Sequence, residues 1–273
     1  ISTSSPSRTG AVSARRIWAE LHAYEKTNGN NDGTNAGRRT FQGASTVGLS
    51  GGFGKVDFGR DYSAALWTAL GADVFGYDGV AANVSSTNAN NTNPTRLANV
   101  ISYSSPTMGG FMAQGSYSFK ETATAGVKNA TSVRLAYAAG PLSLALATAK
   151  YDTALNTTHE GTNFGGSYDL GVAKVMALST SAKAGSAADA GKVTTTNFGV
   201  SAPMGAVTLN ATVSNGKYID SGAASVKTSG YQIGANYSLS KRTTAYALMG
   251  QGKNKAATAT KHDTFAMGVR HTF

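Results

Sequence analysis

The side chains in this sequence that could do chemistry point to electrostatics rather than to bond making. His22, His159, His262 and His271 show no His-x-x-x-His or comparable ligand spacing, and there is no cysteine to supply a thiolate. Gly54-Lys55 is not a phosphate loop, because Leu49 stands where that pattern needs a glycine and Val56 where it needs Ser or Thr. No Gly-x-Ser-x-Gly nucleophile elbow is present. Neither an enzyme, a cofactor nor a metal is expected. The arginines are more informative. Read with a period of two, Arg134 and Arg270 fall opposite apolar neighbours, Arg96 falls opposite Leu97, Ile101 and Tyr103, and Arg8 shares the parity of Gly10. Arg38 shares the parity of Thr46 and Gly48, whereas Arg39 falls on the other face and Arg60 on the side of Val56 and Phe58. A guanidinium about 8 Å from a passing anion, at an effective dielectric near 20, contributes about 2 kcal/mol. Two or three such groups outweigh screening over a Debye length of about 8 Å. Attraction of anions along a wet surface is the chemistry on offer.

The elements that must carry these arginines are strands with two unlike faces. In Asp263–Phe273, residues Phe265, Met267, Val269, His271 and Phe273 share one face, and Thr264, Ala266, Gly268, Arg270 and Thr272 the other. The alternation recurs upstream. Phe111, Ala113, Tyr117 and Phe119 share a face, as do Val133, Leu135 and Tyr137, then Leu142, Leu144 and Leu146. Phe164, Tyr168 and Leu170 follow, then Phe198 with Val200, Val207 with Leu209 and Val213, Tyr231 with Ile233 and Tyr237, and Thr244 with Tyr246 and Leu248. Residues 173–182 have no decisive phase. The opposite faces hold Ser, Thr, Asn, Gln, Gly and some Arg, a composition suited to water. An edge strand of a soluble sandwich is the competing reading of the C-terminal segment. A free edge ending on Phe would template aggregation, however, whereas closure into a barrel removes the edge and lets the apolar face meet lipid.

Composition sets bounds on this reading. Hydrophobic residues make up 41% of the 273 residues, and mean hydropathy is −0.19. No apolar run approaches the roughly 18 residues of a membrane helix, but a spanning barrel gives only every second residue to lipid. Gly is abundant at 33 and Pro scarce at 5, as expected of many short strands and polar loops. The formal charge of +10 and a pI near 9.7 favour an anionic partner: nucleic acid, anionic lipid or small anions. The aromatics recur on the apolar face rather than beside the lysines, which weighs against nucleic acid. The chain carries no signal peptide at its start, so a mature form or a fragment is expected.

Connections alternate in length. Short ones fall at 105–110, 138–141, 169–173, 202–206 and 238–243, and long ones near 121–131, 152–161, 184–192, 218–227 and 254–262. Lysines gather on the long side, among them Lys150, Lys183, Lys192, Lys217, Lys227, Lys253, Lys255 and Lys261, and suggest a mouth attractive to anions. Strands are expected at about 4–13, 15–26, 38–50 and 55–61. Residues 62–95 are the longest irregular stretch, and its Ala/Leu start could form a short helix folded into a lumen. The count reaches about fifteen strands where single-chain bacterial barrels have an even number, so a first strand is expected to be missing.

Three motifs carry a family resemblance. Val47-Gly-Leu-Ser-Gly-Gly-Phe-Gly54 with Gly59-Arg60-Asp61, Asn99-Val-Ile-Ser-Tyr-Ser-Ser-Pro106, and Gly268-Val-Arg-His-Thr-Phe273 resemble the Gram-negative general porins, nearest the β-proteobacterial anion-selective branch. The resemblance spans nearly the whole chain. It implies an all-β fold: a transmembrane antiparallel β-barrel of the 16-stranded porin type, its long third loop folded into the lumen. Residues 1–273 would be one barrel domain and 62–95 its inserted constriction loop. The implied protein is a homotrimeric diffusion channel of the Gram-negative outer membrane, surrounded by lipid and lipopolysaccharide and passing small anionic solutes. Arg8 and Arg96 match two constriction arginines, with Arg38 a third. Glu20 resembles their acidic partner, and Asp73 is a second acidic candidate. Arg134 and Arg270 are secondary lumen charges, and Phe273 is the assembly signal. The sequence departs from the family at Gly37–Gln42, which does not align cleanly, and in a shortened turn between the second and third strands that lacks acidic residues. A channel specific for one anion and a barrel adhesin or anchor without an open pore are the alternatives.

Overall fold

The computed structural model describes residues 44–76, 96–120, 129–152, 158–185, 191–219, 225–255 and 261–272, with the backbone alone of residues 16–21, Arg96 and Ala184. Among these residues fourteen strands form one antiparallel sheet in strict sequence order. They are β1 (Arg16–Leu21), β2 (Ser45–Gly51), β3 (Gly54–Tyr62), β4 (Arg96–Ser104), β5 (Phe111–Ser118), β6 (Ala130–Ala139) and β7 (Leu142–Asp152). Then come β8 (Thr158–Asp169), β9 (Lys174–Gly185), β10 (Gly191–Met204), β11 (Val207–Ile219), β12 (Val226–Ser238), β13 (Thr243–Asn254) and β14 (Lys261–His271). Eleven of these follow the long loop, as the alternation predicts. The strand expected at 4–13 lies outside the described residues, and the one expected at 38–50 is described as Ser45–Gly51.

The wall is inside out relative to a water-soluble sheet. Val47, Phe111, Leu135, Leu146, Phe164, Phe198, Val213 and Phe265 are 50–65% exposed on one face. Ser132, Asn163, Thr195, Ser214 and Gln232 are buried on the other. Apolar residues turn outward and polar residues inward, the pattern of a strand wall that meets lipid outside and water inside. No described helix is long and apolar enough to cross a membrane.

Three departures from simple alternation are informative. In β4 the register against β3 slips between Gly59 and Asp61: Gly59 pairs Val100 and Asp61 pairs Leu97. Asn99 takes up the extra residue in the left-handed region, at φ 50°. Leu97 is consequently buried with Val100 and Ala130 instead of sharing the outward face of Ile101 and Tyr103. In β13 the expected apolar face is reversed. Met249, 47% exposed, pairs with Phe265 and Ile233 outside, while Tyr246 and Leu248 turn inward. Tyr246 lies over Gly268, where an added Cβ would come within 2.8 Å of its hydroxyl. In β9 the undecided phase resolves with Val175 outward and Leu178 inward and buried.

Candidate channel constriction

A short helix, α1 (Ala64–Gly71), follows β3 and lies on the inner face of the wall. Ser63 caps it, its Oγ accepting from the Leu66 amide at 3.1 Å. An eight-residue helix is marginal alone, so packing must hold it. Ala65 packs on Ala147 and Ala149, and Ala69 and Ala72 pack on Leu178. Two side chains of the wall clamp its first turn. The Ala65 amide donates to Ser132 Oγ at 3.0 Å, and Asn163 Nδ2 donates to the Ala65 carbonyl at 3.0 Å. These clamps explain why Ser132 and Asn163 are polar and yet almost fully buried.

Beyond α1 the chain continues across the wall over residues too small to obstruct it. A Cβ added to Gly165 would fall 2.7 Å from Ala72 Cβ, one on Gly199 2.8 Å from Val74 Cγ1, and one on Gly234 3.2 Å from Phe75 Cε1. Inner-face glycines of β8, β10 and β12 thus give the loop its bed. Leu178 turns inward because the loop brings it apolar neighbours in Ala69 and Ala72.

On its other side α1 presents Trp67, 40% exposed, edge-on to Tyr62 with ring centroids 5.4 Å apart. Together with the inner faces of β2 to β5 they bound a cavity of roughly 340 Å³. Its polar lining includes Thr46, Lys55, Asp57, Asp61, Ser104 and Gln114. Lys55 Nζ stands 3.0 Å from the Asp57 carboxylate. A separate recess of roughly 490 Å³ lies on the outer face between β10 and β14. It is framed by apolar residues such as Leu209, Ile233 and Met249, and its walls suit hydrocarbon rather than hydrated solutes.

The structure bonds one predicted arginine to a residue that lines this space. Arg134 on β6 donates through Nη1 to Gln114 Oε1 at 2.6 Å, and Gln114 Nε2 donates to Ser104 Oγ at 3.0 Å. The chain of bonds crosses β6, β5 and β4 along the inner wall. Asp73 sits at the far end of α1, where its Oδ1 accepts from the Phe75 amide at 3.0 Å and shapes the turn to Gly76. Arg270 is on β14, opposite Thr244 and far around the sheet from α1. Glu20 and Arg96 are described in backbone only: Glu20 pairs with Thr46, a cavity residue, and Arg96 opens β4 opposite Tyr62. The bulge at Asn99 interrupts the alternation on which the inward reading of Arg96 rested. Arg8, Arg38 and Phe273 lie outside the described residues. Sequence reasoning missed Trp67, Gln114, Ser132 and Asn163. The signal available was a run of Gly, Ala and short polar residues at inner-face positions of successive strands. No group of three or more His, Asp or Glu able to hold a metal occurs among the described residues.

An antiparallel strand wall that is apolar outside and polar inside, with a loop folded onto its inner face, defines a transmembrane β-barrel channel of the porin type. The match to known sequences carries this further. Residues 15–257 fit the family described as Gram-negative porin. Outer membrane porin protein 32 of Delftia acidovorans is 34% identical over 244 residues, covering 83% of this chain and 68% of the relative. The chain belongs to the Gram-negative porins of the outer membrane. Among solved structures, an anion-selective porin from Comamonas acidovorans superposes with a TM-score of 0.72 at 28% identity, covering 95% of this chain and 84% of that one. The trimer form of the OmpT outer-membrane protein of Vibrio cholerae superposes with a TM-score of 0.68 at 15% identity, covering 87% and 82%, and shares the fold.

Proposed function

We propose that this porin is a passive diffusion channel for small hydrophilic solutes that prefers anions, working as a homotrimer. The observation that carries the reading is α1 clamped to the polar inner wall, which narrows the water path and brings each passing solute close to the wall charges. The names of two similar proteins, an anion-selective porin and a trimeric one, support selectivity and assembly. So does the formal charge of +10. In this reading residues 1–273 make one barrel domain, 62–95 are its constriction loop, and no bond is made or broken in transport. Arg8, Arg38 and Arg96 set the preference, Glu20 and Asp73 balance them, and Arg134 and Arg270 add to the lumen field. Among the described residues Arg134 supports the reading best, because its guanidinium donates to Gln114, a residue of the cavity wall.

The test is the reversal potential of purified protein in a planar bilayer under a KCl gradient. The reading expects stable conductance in steps of three and a potential of the sign set by chloride. It also expects Arg8→Gln with Arg96→Gln to move that potential toward potassium. Well-folded protein without conductance would remove the channel, and an unchanged potential in the double variant would remove those two residues from the selectivity site.

A further inference from the structure

Among the described residues, the exposed large apolar side chains lie on the outward face of the wall or in its turns, with one exception. Trp67 on α1 borders the polar cavity beside Tyr62. An exposed indole is unfavourable in water. The contacts that hold α1 are made by other residues, namely Ala65, Ala69 and Ala72 and the Ser132 and Asn163 clamps. The edge-on contact of Trp67 with Tyr62, at 74° between ring planes, does not close the two rings on each other as stacking would. Aromatic rings bordering a wet, polar recess suit a solute that has an apolar face of its own.

The charges around the cavity decide what kind of solute that is. The lysines at the rim of the longer connections do not enter: Lys217, Lys227 and Lys253 share the parity of Val213, Tyr231 and Met249 on their strands and face outward. The charged residues of the cavity lining are Lys55, Asp57 and Asp61, and Arg134 is bonded to Gln114 of the same lining. Two positive and two negative groups balance. Lys55 Nζ stands 3.0 Å from the Asp57 carboxylate, and Asp61 Oδ1 accepts from the Tyr62 amide at 2.7 Å. An anion entering here meets two carboxylates, and a cation meets an ammonium with a guanidinium behind it. To a neutral solute the same groups offer directed hydrogen bonds. A carboxylate has about four acceptor sites and an ammonium three donors, so groups bonded to one another keep capacity for a hydroxyl. Thr46, Ser102 and Ser104 add hydroxyls to the lining.

We propose that this recess is a binding subsite for a neutral cyclic sugar, its C–H face on the Trp67 and Tyr62 rings and its hydroxyls bonded to Lys55, Asp57 and Asp61. The C–H face of a sugar ring is apolar and electropositive, which matches the negative face of an aromatic ring. Each of its hydroxyls both donates and accepts, as a lining of mixed donors and acceptors requires. The volume of roughly 340 Å³ is at the small end of ligand pockets, about 300–1,000 Å³, and suits a monosaccharide rather than a long oligomer. The inference rests on the reading of the inner wall as the water path. It does not depend on the preference for anions.

The experiment uses full-length folded protein in detergent, with Trp18→Phe so that Trp67 is the remaining tryptophan and reports on its own surroundings. The probes are glucose, the open-chain polyol sorbitol, glucuronate and protonated glucosamine. They compare a neutral ring with a chain, an anionic ring and a cationic ring. Glucose should change the emission saturably, with half-saturation at least about fivefold below that of the other three. In planar bilayers glucose should raise the noise of the open-channel current over the same concentrations. Trp67→Ala should abolish that noise, and Trp67→Tyr should retain it. Absence of a saturable response from protein that still conducts overturns the subsite and leaves the channel standing. Saturable glucose binding by protein without conductance keeps the subsite and removes the channel. Equal responses to glucose and sorbitol overturn the proposal without recourse to any variant, since the ring face would then count for nothing. A tighter response to glucuronate or glucosamine overturns it in favour of an anion or a cation site, and so does wild-type glucose noise in Trp67→Ala in favour of a site elsewhere.

Discussion

Replacing Gly165 by Val tests how the constriction is held. A Cβ at this position would stand 2.7 Å from Ala72 Cβ, 3.2 Å from Leu178 Cδ1 and 3.4 Å from the Thr68 carbonyl oxygen. Carbon atoms in contact sit about 3.5–4.0 Å apart, so α1 or β8 must move by about 1 Å. Overpacking of this kind costs about 1–3 kcal/mol. The two clamps on Ala65 contribute roughly 1 kcal/mol each, with the packing of Ala65, Ala69 and Ala72 added to them. β8 is bonded along its length to β7 and β9, whereas α1 rests on the wall by these few contacts. The helix should therefore yield before the strand. Each 1.4 kcal/mol moves the docked and displaced populations about tenfold, so a visible fraction of channels should have the loop displaced. Single-channel recording should show larger and noisier conductance. The emission of Trp67, isolated by Trp18→Phe, should change in parallel. Gly115→Val is the control, because nothing lies within 4 Å of its added Cβ. Unchanged conductance and emission in folded Gly165→Val would refute the packing argument, as would an equal effect in the control.

Three further outcomes follow from the same geometry. Ser132→Ala with Asn163→Ala removes both clamps and should destabilise loop docking by about 2 kcal/mol. It should raise open-channel noise while leaving the circular dichroism of the wall intact, and a quiet trace would show that packing alone suffices. Arg134→Gln should lower the chloride-to-potassium permeability ratio by up to about tenfold, more at low salt than at high. A ratio independent of both residue and salt would take Arg134 out of the selectivity site. Replacing Phe273 by Ala should reduce the yield of heat-resistant trimer, whereas a normal yield would reduce this residue to a lipid contact.

Most of the wall could be read in advance because its two faces meet different solvents, so alternation records them directly. Phe111, Val133, Leu146, Phe164 and Val213 were placed outward on this basis, and they are. The reading stayed open at 173–182, where a third surface intervenes. Leu178 is apolar and inward because Ala69 and Ala72 pack on it, and one strand's sequence cannot report what another segment lays over it. Leu97 failed for a local reason, since the residue in the left-handed conformation at Asn99 shifts the register and turns Leu97 to the buried face. The short helix at the start of the long loop was legible in Ala64-Ala-Leu-Trp-Thr-Ala-Leu70, but its clamps were not. Ser132 and Asn163 lie 67 and 98 residues from Ala65 and look like any other polar inner-wall residue. The lysines of the rim show the converse. Their accumulation was visible, yet their direction came only from the register.

That separation along the chain also sets an order of events. Every described strand pairs only with its neighbours in sequence, so the wall can be laid down hairpin by hairpin at small loop-closure cost. Residues 64–75 have no such neighbour to wait beside. Their seat comprises Ser132, Asn163, Leu178, Gly199 and Gly234, which span β6 to β12 and exist together only once most of the wall stands. The narrowing of the passage is thus a late acquisition of the folding chain, and a wall truncated before β8 would lack the surface on which to make it.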